Sequence, residues 1–88
     1  MKIREGFVVR RVMGQAMAIA LGEASRTFNG MVKLNDTAAD LWDWMSEDTT
    51  EEVLTTRLQE AYEIDEATAK ESVHAFVENL RKEGLLVE

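Results

Sequence analysis

Two hydrophobic periods divide this chain. Up to residue 34 the apolar positions run in short stretches with a period near two, the mark of strands; beyond it they recur at three- and four-residue steps, the mark of helices. Residues 7–12 are rich in β-formers, and Met13-Gly14 supplies a turn in which glycine accepts positive φ. Residues 15–21 alternate large and small side chains, with Met17, Ile19 and Leu21 on one face and Ala16, Ala18 and Ala20 on the other. This pattern predicts a strand with the large face in the core. Residues 22–27 read as loop. Asn29-Gly30 is a tight-turn signal, which predicts a brief pairing of 26–28 with a strand at 31–34.

The junction at Leu34 and Asn35 has no linker. Asn35 is the expected helix cap, Asp36 meets the positive end of the helix dipole, and Leu34 is placed to staple onto Ala39. Ala38, Leu41, Trp42 and Met45 then form one apolar stripe, which predicts a helix over 36–46 with Trp42 buried and Trp44 pointing off the stripe. Thr49 and Glu52 read as a capping box for a second helix over 50–62, whose apolar face is Val53, Leu54, Leu58, Ala61 and Tyr62. Asp65 caps a third helix over 66–83, with Ala69, Val73, Phe76, Val77 and Leu80 inward and Gly84 as its stop. Residues 85–87 are apolar and form a last strand or a tail packed on the sheet. Three strands followed by three helices predict an α+β fold in a single domain over 1–88, with helix-turn-helix packing of the helices.

Composition narrows the function. The chain has no cysteine, which fits a reducing cytoplasm and excludes disulfides and thiolate chemistry. No stretch approaches the ~20 apolar residues of a membrane span. Net charge is −7, unevenly placed: residues 1–33 hold six cations against two carboxylates, whereas the remainder holds four cations against fifteen. Most of such a surface repels a phosphate backbone. Enzymatic groups are scarce. A nucleophile needs a base beside it, and the chain has one histidine, His74. His74 and Glu78 lie one helical turn apart, but two ligands make no metal site. No glycine-rich phosphate loop is present. The residues predict neither a cofactor nor a catalytic centre.

The runs FNGMVKLNDTAADLW (Phe28 to Trp42), TTEEVLTTRLQEAYEID (Thr49 to Asp65) and VHAFVENLRKEGLL (Val73 to Leu86) resemble the PqqD-like family of small peptide-binding proteins, the RiPP recognition elements. The signature LN-x-TA-x-x-LW at Leu34 to Trp42 is the most specific part of this likeness. The resemblance implies a winged helix-turn-helix-like fold. It also implies a leader peptide added as a strand beside the third strand, in a groove walled by the third helix, and handed to a modifying enzyme, commonly a radical SAM maturase. The chain lacks proline, and the proline-containing turn of the quinone-pathway members reads here as Leu21-Gly22-Glu23. That difference points away from quinone synthesis and leaves the general role in place.

The residues support the same role on their own. An uncovered edge strand is a template for another strand, and Met31, Val32, Lys33 and Leu34 form a candidate edge whose one charge is Lys33. On the third helix Lys70, His74, Val77 and Arg81 fall at i, i+4, i+7 and i+11, a mixed basic and apolar stripe suited to an acidic, partly apolar peptide. Two other readings share the topology, a winged-helix nucleic-acid binder and an accessory subunit with a purely structural role. In the first, Lys70, Arg81 and Lys82 of the third helix are outnumbered by Glu66, Glu71, Glu78 and Glu83, too many for counterion release to yield much.

Overall fold

A computed structural model describes residues 1–22, 24–27 and 31–88. In chain order the elements are β1 (Lys2–Ile3), β2 (Phe7–Val12), β3 (Gln15–Ala20), α1 (Ala24–Thr27), β4 (Met31–Leu34), α2 (Asp36–Trp44), α3 (Glu51–Tyr62), α4 (Glu66–Lys82) and β5 (Leu86–Val87). A sheet of strands followed by three helices is the α+β arrangement the periodicity predicts. The chain divides into two compact units, Arg4–Asp40 and Met1–Ile3 with Leu41–Glu88.

The first unit is an antiparallel sheet of order β2-β3-β4 with the first turn of α2 attached. Met13 and Gly14 take φ of 53° and 82°, the double positive φ of a two-residue hairpin turn whose twist matches the strands it joins. Asn35 caps α2: its Oδ1 accepts from the Ala38 N–H at 2.8 Å. The buried face of β3 is opposite to expectation. Ala16 and Ala18 are 1% and 0% exposed, whereas Met17 and Ile19 are half-buried and Leu21 is 48% exposed. Register gives part of the reason, since Ala16 lies beside the buried Leu34 and Ala18 beside Val32, where small side chains leave room for large ones. Arg26 lies in the short helix α1 rather than in an extra strand. The predicted Asn29-Gly30 turn and Phe28 fall outside the described residues.

In the second unit α3 and α4 pack together, and β1 pairs with β5 through Lys2↔Val87 and Ile3↔Leu86. The apolar residues 85–87 therefore do form a strand at their end. Leu41, Trp42 and Met45 are buried as their stripe predicts, together with Leu54, Leu58, Ala69, Val73, Val77, Leu80 and Leu85. Each large member of this set stabilises the fold by roughly 1.5–3 kcal/mol of transfer free energy. The stripe of α3 is narrower than predicted: Val53 is 48% and Tyr62 37% exposed, and Ala61 is exposed too. Its cap is Thr50, not Thr49, because Thr50 Oγ1 accepts from the Val53 N–H while the Thr49 N–H donates to the Met1 carbonyl. Asp65 caps α4, accepting from the Thr68 N–H at 2.7 Å, and hydrogen bonds from Thr68 hold its carboxyl below the usual carboxylate range. Trp44 is half-buried beneath the Arg57 guanidinium, 4.8 Å from the ring centre. Among the described residues no helix is long and apolar enough to cross a membrane.

Candidate functional site

The open edge of the sheet follows from the hairpin. A two-residue turn makes its flanking residues, Val12 and Gln15, a hydrogen-bonded pair, and antiparallel pairs then alternate along the ladder. Counting from the turn, Arg10–Met17 and Val8–Ile19 are also hydrogen-bonded pairs, and so is the next pair beyond the ladder, Gly6–Leu21. The Leu21 N–H indeed donates to the Gly6 carbonyl at 2.6 Å. Met17 and Ile19 therefore turn their backbone groups toward β2, which leaves Ala16 and Ala18 to bond β4.

The same parity passes into β4. Ala16 pairs with Leu34 and Ala18 with Val32, so the N–H and C=O of Val32 and Leu34 point inward to the sheet. In agreement, Gln15 Nε2 donates to the carbonyls of both Ala16 and Leu34, at 3.1 and 3.0 Å. Met31 and Lys33, opposite Ile19 and Met17, point theirs outward. Among the described residues β3 is the only neighbour of β4. The edge thus presents four backbone hydrogen-bonding groups, with Lys33 as the one charge on the strand. The other edge, β2, carries Arg10 and Arg11, and Arg11 reaches Asp36 at 3.7 Å.

The helical stripe does not form one surface. Val77 is 0% exposed and belongs to the core. Lys70 and His74 line an open cleft of about 860 Å³ between α3 and α4, together with Glu51, Glu52, Glu66 and Glu71. The His74 ring meets Glu51 there, Nδ1 to Oε1 at 3.0 Å. Arg81 is engaged by Glu78 and by Glu88, and the hydrogen bonds to Glu88 chiefly raise its pKa further. Of the eight residues singled out in the sequence, the structure places Met31, Val32, Lys33 and Leu34 along one edge. The four from α4 are divided between core, cleft and chain end. Phe76, read as core from spacing alone, keeps part of its ring exposed.

Residues 17–86, which include the edge strand and all three principal helices, match the family model described as coenzyme PQQ synthesis protein D (PqqD). The chain belongs to the PqqD family. A solved structure, "TbiB1 in Complex with the TbiA(beta) Leader Peptide", superposes with a TM-score of 0.74 at 19% identity, covering 98% of this chain and 94% of that one. At that identity the likeness establishes a shared fold. No curated protein sequence matches the chain. Among the described residues of this PqqD-family chain, no group of three or more His, Cys, Asp or Glu is placed to hold a metal ion.

Proposed function

We propose that this chain is a non-catalytic peptide-binding protein that captures the leader of a ribosomally made precursor as an added strand on β4. It then presents the precursor to a modifying enzyme, with a radical SAM maturase as the foremost candidate. The observation that carries this reading is the outward parity of Met31 and Lys33 on a strand whose only neighbour among the described residues is β3. Family membership supports it, and so does a structural neighbour whose own structure is a complex with a leader peptide.

Magnitude says what the edge alone achieves. Four backbone hydrogen bonds at ~0.5–1.5 kcal/mol each give about 2–6 kcal/mol, before the cost of association. Micromolar binding needs about 8 kcal/mol. The alternate side chains of the peptide must supply the difference, so strand pairing sets register and side chains set choice of precursor.

Amide hydrogen exchange by NMR tests the reading, with synthetic peptides spanning the leaders of candidate precursors, taken from any short peptide genes found next to the gene for this chain. Met31 and Lys33 amides should exchange rapidly in the free protein and slow by tenfold or more when a leader peptide binds. Val32 and Leu34 are slow in both states. A peptide that binds without protecting Met31 and Lys33 binds elsewhere, and the proposal fails.

A further inference from the structure

Cross-strand register also sorts the sheet's side chains onto two faces, because directly opposed residues point the same way. One face holds the buried Ala16, Ala18 and Leu34. The other carries the rows Val8–Ile19–Met31 and Arg10–Met17–Lys33, with Val12 at its end. Met31 is 53% and Val12 51% exposed, and Met17 and Ile19 are only half-buried. β2, β3 and β4 contain no carboxylate, and among the described residues Arg10 and Lys33 have no ion-pair partner. An apolar strip flanked by two unpaired cations is a protein-docking surface in composition.

We propose that this face docks the peptide-modifying enzyme, through an apolar patch on that enzyme rimmed by carboxylates, and that the bound leader forms part of the docking surface. The proposal rests on the strand-addition reading. A strand added to β4 continues both rows by one residue each and widens the face by ~4.8 Å. The three strands alone offer a patch of about 14 by 17 Å, well under the ~800 Å² per partner of a stable interface. The enzyme therefore binds the loaded protein more tightly than the empty one, and by linkage tightens the leader by the same factor. Charge decides between occupants. A two-fold pairing of this face with itself brings the cations of one copy toward those of the other. A nucleic acid presents no apolar surface to cover the Val8–Ile19–Met31 row, and an anionic membrane gains only about 1 kcal/mol from each of the two cations, too little to hold the domain.

The test uses the full chain, a leader peptide that it binds, and a purified candidate peptide-modifying enzyme taken from the genes around its own, in paired titrations by calorimetry and biolayer interferometry. Arg10→Glu combined with Val12→Glu alters β2, with β3 lying between it and the peptide edge. Expected are leader affinity within twofold of the parent, enzyme affinity reduced tenfold or more, and at least tenfold tighter enzyme binding when the leader is present. Arg10→Ala serves if the double variant melts early, and should weaken the enzyme threefold or more. Enzyme binding unchanged in a folded variant overturns the proposal. So does a parent dimer that Arg10→Glu dissolves, or parent binding to phosphatidylglycerol vesicles that the double variant abolishes. A parent that binds the enzyme but no leader would overturn strand addition instead, and variant loss of enzyme binding would then still support the face.

Discussion

Proline substitutions at neighbouring positions of β4 should have opposite consequences. At Val32 the backbone N–H points to β3 and bonds the Ala18 carbonyl, on a residue with no exposed surface. Proline there removes the donor, leaves a buried carbonyl unsatisfied at a cost of ~1–3 kcal/mol, and thrusts its ring into the neighbouring strand. The total should reach about 3 kcal/mol. A chain of 88 residues has about 4–13 kcal/mol of stability in all. With ~4–8 °C of Tm per kcal/mol for a domain of this size, Val32→Pro should melt at least about 10 °C below the parent. At Lys33 the N–H faces outward, so proline removes a donor that only a partner uses. The preceding residue is already extended, as proline requires. Lys33→Pro should therefore melt within a few degrees of the parent. It should also bind the leader tenfold or more weakly, from one lost hydrogen bond of ~0.5–1.5 kcal/mol and a ring in the peptide's path. Circular dichroism melts and calorimetry decide the matter together. A folded Lys33→Pro that binds like the parent refutes strand addition at this edge, and a stable Val32→Pro beside an unfolded Lys33→Pro refutes the parity.

Two further outcomes follow from the helical unit. Trp42 is 5% exposed, so Trp42→Ala should cost ~3–5 kcal/mol, and a melt within a degree or two of the parent would contradict its burial. Asp65 has its folded pKa depressed by hydrogen bonds from Thr68, so its contribution is present above the ordinary Asp value of about 4 and is lost as pH falls through the lower, folded value. Asparagine keeps the cap acceptor without titrating, so Asp65→Asn should lose less Tm than the parent between pH 5 and pH 2.

Features set by near neighbours in sequence were legible from the residues. Asn35 and Asp65 cap as read, because a cap is settled within four residues. Met13-Gly14 turns as read for the same reason. Where distant chain intervenes, local signals failed. Thr49 and Thr50 are equally good caps locally, and the Met1 carbonyl takes the Thr49 N–H. Alternation along β3 showed two faces but not which is covered, since that depends on what packs against them. The edge strand was legible from composition and outward parity was not, for parity is counted from the turn through β3. The spacing of the α4 stripe is equally compatible with core, where Val77 lies as its inward position predicts, and with pairing to α3 and to Glu88, where His74 and Arg81 lie; spacing within one helix does not separate these.

The pairing of β1 with β5 has a kinetic meaning. Two residue pairs join positions 2–3 to 86–87, so they close a loop of more than eighty residues, at an entropic cost near 4 kcal/mol. So short a ladder cannot meet that cost on an unfolded chain. It forms only when the intervening chain is already compact and Ile3 and Leu85, 7% and 1% exposed, have a core to enter. The Ile3 N–H also donates to the Met45 carbonyl at the end of α2, a partner that exists only once that helix is in place. The ladder should therefore assemble after α2 and the core it enters, and open readily. Proteases and exchange reagents should reach β1 and β5 before they reach the helices.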